Sequence, residues 1–295
     1  MGLGECAVSV DGLQTKMRKQ GNNLMVDLTL GPERLPTQVL EAHGDICDAY
    51  KDFCMRLLTG LKGKAAAVRF SLTHFVLLGS GGAEALSELL KKASALGFYT
   101  LLEIYGISSA EEAGYAAERV WGEGSRFPCD GVLVSAYFGT EVIKPFLPYC
   151  EEKKKSLFVL ARSANKTAFE LQDLLAGSRM AHVAAADYVN RFAAGTVGKY
   201  GFSQVGIAAS ATVSDSVKML RSKYPKLFML IDGAELTGIS VKNASYGFNI
   251  YGYGAICCLG SPVTCAWTQS EDVDFVQAAA AAAESFQARL KQYVP

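Results

Sequence analysis

The feature that most constrains the fold of this chain is a recurrence. Short runs dense in Val, Ile, Leu, Phe and Ala return eight times, separated by longer segments with helical spacing. The runs are NLMVDLTL (23–30), AAAVRFSL (65–72), YTLLEIY (99–105), DGVLVSA (130–136), SLFVLARSA (156–164), QVGIAAS (204–210), LFMLIDG (227–233) and NIYGYGAICC (249–258). Their apolar character is continuous, not alternating, which marks strands covered on both faces, as in a parallel sheet wrapped by helices. Helices are expected at 37–60, 82–96, 109–121, 140–153, 167–176 continuing at 182–194, 214–224, 238–246 and 271–292. Eight such units without a composition break predict an α/β fold, a single (β/α)8 TIM barrel over 1–295. Residues 1–22 would be an N-terminal extension and 259–295 a C-terminal loop and helix. A doubly wound open sheet is the competing topology, but no GxGxxG follows the first strand.

Charge and composition narrow the partners. Lys+Arg and Asp+Glu both number 29, and the one dense cluster, EEKKK at 151–155, reads as a solvated helix end, so nucleic acid is not an expected partner. No run of about 18 apolar residues is present, so no membrane span is expected. The first twenty residues lack a basic start, an apolar segment and a small-residue cleavage site, and the expected location is the cytoplasm. Eight cysteines are scattered without any CxxC pair, and Cys257–Cys258 falls in an apolar run, so buried free thiols are expected. His43, His74 and His182 share no metal-like spacing with one another or with the cysteines, and no metal site is expected.

In barrels of this kind the chemistry sits at the C-terminal ends of the strands. The residues expected there are Asp27 and Thr29, Arg69 and Ser71, Glu103 and Tyr105, Ser135 and Tyr137, Arg162 and Ser163, Ser210 and Thr212, Asp232 and Gly233, and Tyr253 with Gly254.

Three segments carry a family resemblance: AYFGTEVIKPF (136–146), FVLARSANKTAFELQDL (158–174) and VGIAASATVSDSVKMLRSKYPKLFMLIDG (205–233). In order and spacing they resemble the PYLG, TSN and LIPG blocks of orotidine 5'-phosphate decarboxylases of the second bacterial subfamily. VDLTLGPERLP (26–36) is similar to that subfamily's VGLDP opening, so the likeness covers about 24–258. It implies a barrel, a nucleotide-like or other small phosphate ligand, no metal or organic cofactor, and a homodimer with its sites at the subunit interface. It also implies a carbon–carbon lyase of pyrimidine nucleotide biosynthesis. In the family one carboxylate crowds the substrate's carboxylate. A lysine ammonium stabilises charge growing at the ring carbon and protonates it, which is preorganised electrostatics joined to general acid catalysis.

Carried over residue by residue, the family's DxKxxD on the third strand falls on Glu103, Tyr105 and Ser108, its first-strand aspartate on Thr29 and its second-strand lysine on Arg69. A phenol with a pKa near about 10 donates a proton but brings no positive charge, and a guanidinium is a wide fork, not a compact ammonium. The serine of TSN matches Ala164, flanked by Ser163 and Asn165. Thr212 lies in the block after strand six, Gly233 and Gly238 fall in the phosphate loop, and the phosphate-binding arginine matches Gly254. Asp232 and Glu235 would lie where a phosphate dianion sits, each at a cost of about 4 kcal/mol if unpaired. The expectation is a diverged member with little or no decarboxylase activity. Two alternatives stand beside it: a non-catalytic paralogue that binds another phosphate ligand or a protein partner, and an enzyme of different chemistry using Glu103 as acid or base and Arg69 as an anion clamp.

Each candidate also has a plain structural reading. Glu103 and Arg69 would form an ion pair plugging the barrel mouth, Tyr105 would close the barrel end by packing, and His74 would be a solvent-facing loop histidine rather than a base. Arg162 would grip an anion or serve structure, and Tyr137 and Phe138 would shape the pocket or a turn. Tyr246, Tyr251 and Tyr253 with their glycines would belong to strand eight or form a stacking platform.

Overall fold

The computed structural model describes residues 10–234, 236, 238–269 and 273–295. Eight parallel strands close into a barrel: β1 Leu24–Asp27, β2 Ala67–Ser71, β3 Tyr99–Glu103, β4 Gly131–Ser135, β5 Ser156–Leu160, β6 Val205–Ser210, β7 Met229–Asp232 and β8 Ala255–Leu259. Each strand pairs with its neighbours in sequence, and β8 returns to β1. All five residues of β2 and all six of β6 are buried, so continuous hydrophobicity here does mean cover on both faces. The (β/α)8 expectation holds.

The helices form where an apolar stripe meets a capped start. Asp45 accepts the N–H groups of Cys47 and Asp48 and opens the helix Ile46–Gly60, which buries Tyr50, Phe53, Cys54, Leu57 and Leu58. Ser109 opens Ala110–Trp121 and Asp274 opens Phe275–Leu290 in the same way. Among the described residues no helix is long and apolar enough to cross a membrane. The seven described cysteines are buried free thiols; Cys6 lies outside the described residues.

Several boundaries differ from expectation, each for a local reason. The segment 37–60 splits into Thr37–Glu41 and Ile46–Gly60, because Asp45 caps a new helix just after Gly44. Residues 140–153 form two 3-10 turns and the short helix Leu147–Glu152, broken up by Pro145 and Pro148. Of 167–176 only Phe169–Gln172 is helical. The chain then makes a hairpin, Leu175–Ala176 against Arg179–Met180, turning through Gly177 at φ 70°. A helix that periodicity did not predict, Leu72–Leu77, follows β2 directly. The eighth strand starts at Ala255, not at residue 249, which reverses the position of everything in the NIYGYG segment: those residues lie at the foot of the barrel, not at its mouth.

The foot is covered by the helix Val10–Gln20, which buries Val10, Leu13, Gln14 and Met17. Two buried side-chain amides fix it in place. Gln204 Oε1 accepts the N–H of Val10, and Gln14 Oε1 accepts the N–H of Gly254.

Candidate functional site

At the opposite end, the C-terminal strand ends surround a cavity of about 460 Å³. Its floor is an ion cluster built by three strands. Arg69 stands in register beside Asp27 of β1, and its side chain also spans the barrel to Asp232 of β7. One guanidinium nitrogen, Nη1, donates to both oxygens of Asp232 at 2.9 and 3.1 Å, and Nη2 donates to Asp27 Oδ2 at 2.7 Å. Both carboxylates hold the already high Arg69 pKa higher still against the opposing effect of burial. Burial in turn raises Asp232, although Arg69 and the Cys258 thiol, which donates to it, pull the other way. Asp27 has a second task, since its Oδ1 accepts the N–H of Thr29 at 3.1 Å and turns the chain out of β1. Tyr50 secures the same turn by donating to Leu28 O and accepting from Leu30 N–H.

Glu103 ends β3 just above this cluster. Its register partner is Ser71, whose side chain hydrogen-bonds to it, while Arg69 is in register with Leu101, one layer lower. The expected Glu103–Arg69 ion pair is therefore not formed. Side chains on one strand face repeat every two residues, so Arg69 and Ser71 both face inward and the nearer one takes Glu103. Burial, with Asp27 and Asp232 close by, overcomes the pull of Arg69 and pushes the Glu103 carboxyl up to about 7. Tyr105 lines the cavity beside it, and burial next to Glu103 raises its phenol further. A proton can thus reside on Glu103 at neutral pH, whereas Tyr105 stays protonated throughout.

The remaining wall comes from the loops after β1, β5, β7 and β8: Thr29 and Arg34; Ser163, Ala164, Asn165 and Gln172; Gly233 and Ala234; and Gly260, Ser261 and Pro262. Gly233 has φ 75°, and a Cβ there would stand 3.0 Å from Ala164 Cβ, 3.1 Å from Ser210 Oγ and 3.1 Å from Thr212 Cγ2. Glycine is required on both counts, and the contact clamps the β5, β6 and β7 loops together. Gln172 Oε1 accepts the N–H of Ser163 at 2.8 Å, tying the far end of the β5 loop to its beginning. Among the described lining residues the cations are Arg34 and Arg69, and no lysine is present.

No protein-family model matches the chain. Orotidine 5'-phosphate decarboxylase of Clostridium novyi is 25% identical over 238 residues, covering 80% of this chain and 82% of that protein. The Clostridium kluyveri enzyme of the same name is 26% identical over 266 residues, covering 89% of each. The chain is similar to orotidine 5'-phosphate decarboxylases over most of its length. Solved structures share its fold: the Leishmania donovani OMP decarboxylase superposes with a TM-score of 0.74 at 22% identity, covering 96% of this chain and 99% of that one. A Toxoplasma gondii protein provisionally assigned as an orotidine-monophosphate decarboxylase gives 0.82 at 21% identity, covering 98% of each.

Of the positions that the decarboxylase pattern singles out, Thr29, Arg69, Glu103, Tyr105, Ser163, Ala164, Asn165 and Gly233 converge on the mouth, and Thr212 packs directly behind Gly233. Three others lie away from it. Ser108 donates its N–H and its hydroxyl to Glu112 Oε2, both at 2.8 Å, at the entry to the helix Ala110–Trp121. Gly238, at φ 83°, is exposed and outside the cavity lining. Gly254 is at the foot, where its carbonyl accepts from Arg221 and from Met229 N–H and its Cα abuts the Phe202 ring, so it cannot cradle a ligand at the mouth. The end of β8 at the mouth is Gly260–Ser261 instead.

Asp232 is not the unpaired acid that the phosphate penalty assumed, because Arg69 neutralises it; Glu235 lies outside the described residues. For the same reason Arg69 is not free to clamp an anion. Both of its terminal nitrogens are taken by the two aspartates, while its Nε is buried without a hydrogen-bond partner among the described residues. His74 sits in the helix Leu72–Leu77 with its ring centroid 4.8 Å from that of Tyr50, and burial lowers its pKa, so it is neither a loop residue nor solvent-facing. Arg162 is buried and bonds Asp173 through Nε at 3.0 Å and Nη2 at 2.8 Å, a structural grip on the β5 loop. Tyr137 donates to Ala161 O and lies outside the mouth lining, while Phe138 faces solvent.

Sequence reasoning placed Asp27 at a strand end but assigned it no role, and it missed Arg34, Gln172, Cys258 and Ser261. For Asp27 a signal did exist: an acid at the end of β1 that matches a family glycine requires a nearby cation once buried.

Proposed function

We propose that this family member binds a small polar molecule, phosphorylated or nucleotide-like, at the barrel mouth and does not decarboxylate orotidine 5'-phosphate at ordinary enzymatic rates. Decarboxylation leaves a carbanion on the ring, and its stabilisation requires a positive charge aimed at that carbon together with a proton donor. The observation that carries the reading is the locking of Arg69 between Asp27 and Asp232. The one central cation at the mouth has its charge spent on two carboxylates, and the position matching the family's third-strand lysine holds Tyr105. By lineage the assembly is a cytoplasmic homodimer, a state that sizing by light scattering would check.

The decisive test is purified protein with orotidine 5'-phosphate, followed by loss of absorbance. Turnover near about 1 s⁻¹ or faster, the usual range of enzymes, would overturn the proposal.

A second reading rests on Glu103. A carboxyl held near 7 in a half-closed polar cavity is poised to exchange protons with a ligand, which suits acid–base chemistry on a substrate other than the nucleotide. Screening phosphorylated metabolites for turnover that Glu103→Gln abolishes would test it.

A further inference from the structure

The foot of the barrel holds a second concave surface that the mouth chemistry does not use. Two cavities of about 530 and 570 Å³ meet there along Gly21, Gln287 and Lys291. The first is walled by Arg18, Tyr251, Tyr253, Lys291 and Pro295, and the second by Lys62, Lys64 and Glu284. Of these four cations only Lys64 has an acid, Glu284; among the described residues no carboxylate pairs with Arg18, Lys62 or Lys291. In a chain of net charge zero this is a local excess of positive charge inside a concavity, the arrangement that raises the local concentration of anions.

The groove is built, not merely charged. Gln287 fixes its floor by accepting Asn23 N–H and donating to Gly21 O, both at 3.0 Å. Arg18 is held over the rings of Tyr200 and Tyr253, 5.6 and 5.0 Å from their centroids, so its guanidinium is oriented by the aromatic faces. Tyr251 lines the same wall as Arg18 and Lys291 and is 67% exposed.

We propose that this groove at the foot of the barrel binds a nucleoside di- or triphosphate, with its ring against Tyr251 and its phosphates along Arg18, Lys291 and Lys62. Three separated cations match a chain of phosphates better than one carboxylate, and an exposed aromatic ring favours a planar ring over an aliphatic one. The site is independent of the mouth reading, since the two lie at opposite ends of the strands.

The test is calorimetric titration of the whole chain with ATP, tripolyphosphate and adenosine at low salt. ATP is expected to bind more tightly than either fragment and to weaken as salt rises. Lys291→Glu and Arg18→Glu are each expected to weaken ATP on the order of tenfold, and Arg34→Glu at the mouth to leave it unchanged. Among the described residues no acid pairs with Lys291, and Lys62→Glu serves as a further exposed reversal. Absence of ATP binding at millimolar concentration, or binding that survives these reversals but is lost with Arg34→Glu, would overturn the proposal. Equal affinity for tripolyphosphate would overturn its nucleotide half.

Discussion

Arg69 Nη1 donates to both carboxylate oxygens of Asp232 from the far side of the barrel, at 2.9 and 3.1 Å. The pair joins β2 to β7 through the barrel interior, and Asp27 completes it from β1. Arg69→Ala would strand two buried carboxylates, so urea denaturation at pH 7 is expected to show a loss of about 3–5 kcal/mol. A loss under about 1 kcal/mol would mean that the cluster is solvated.

Glu103 gives a pH signature whose sign can be worked out. Its folded pKa, about 7, is above the ordinary glutamate value of 4.5, so the protonated carboxyl favours the folded state. That stability is fully present below about pH 4.5 and is lost as the pH rises through 7, amounting to about 3 kcal/mol. Asp232, also raised, acts with the same sign. The Glu103→Gln variant is therefore expected to be more stable than the parent at pH 8 and close to it at pH 4.5. Melting curves across that range, read as the difference between the two proteins, isolate the contribution; parallel curves would refute it.

His182 governs the loop that carries Ser163, Asn165 and Gln172. Its Nδ1 lies 2.8 Å from Gln172 O, an acceptor only, so Nδ1 carries the hydrogen, and Nε2 accepts from Ser216 Oγ at 3.0 Å. His182→Phe would leave a carbonyl and a buried hydroxyl without partners, at about 2–3 kcal/mol. Hydrogen exchange should quicken in 163–181 before it does in the barrel strands.

Gly233→Ala is expected to cost about 1–3 kcal/mol, because positive φ and contacts near 3 Å add together. Calorimetric melting would show it. Gly238→Ala, at a similar φ but with open space around it, should cost less.

The sequence alone determined the barrel. Eight buried apolar runs separated by helical spacing leave few architectures, since continuous hydrophobicity on a strand demands cover on both faces, and the resemblance also located Thr29, Arg69, Glu103 and Gly233 at one rim. Only the tertiary structure decided which of these groups engage one another. Asp27, Arg69 and Asp232 are up to 205 residues apart in the chain and meet only because closure of the barrel brings β1, β2 and β7 around one axis. A two-residue offset in register gave Glu103 to Ser71 instead of Arg69. The start of β8 at Ala255 moved Gly254 and Tyr253 from mouth to foot. Residue types and their periodicity are local and can be read along the chain. Strand register, and with it the partner of each buried charge, is fixed only when the barrel closes.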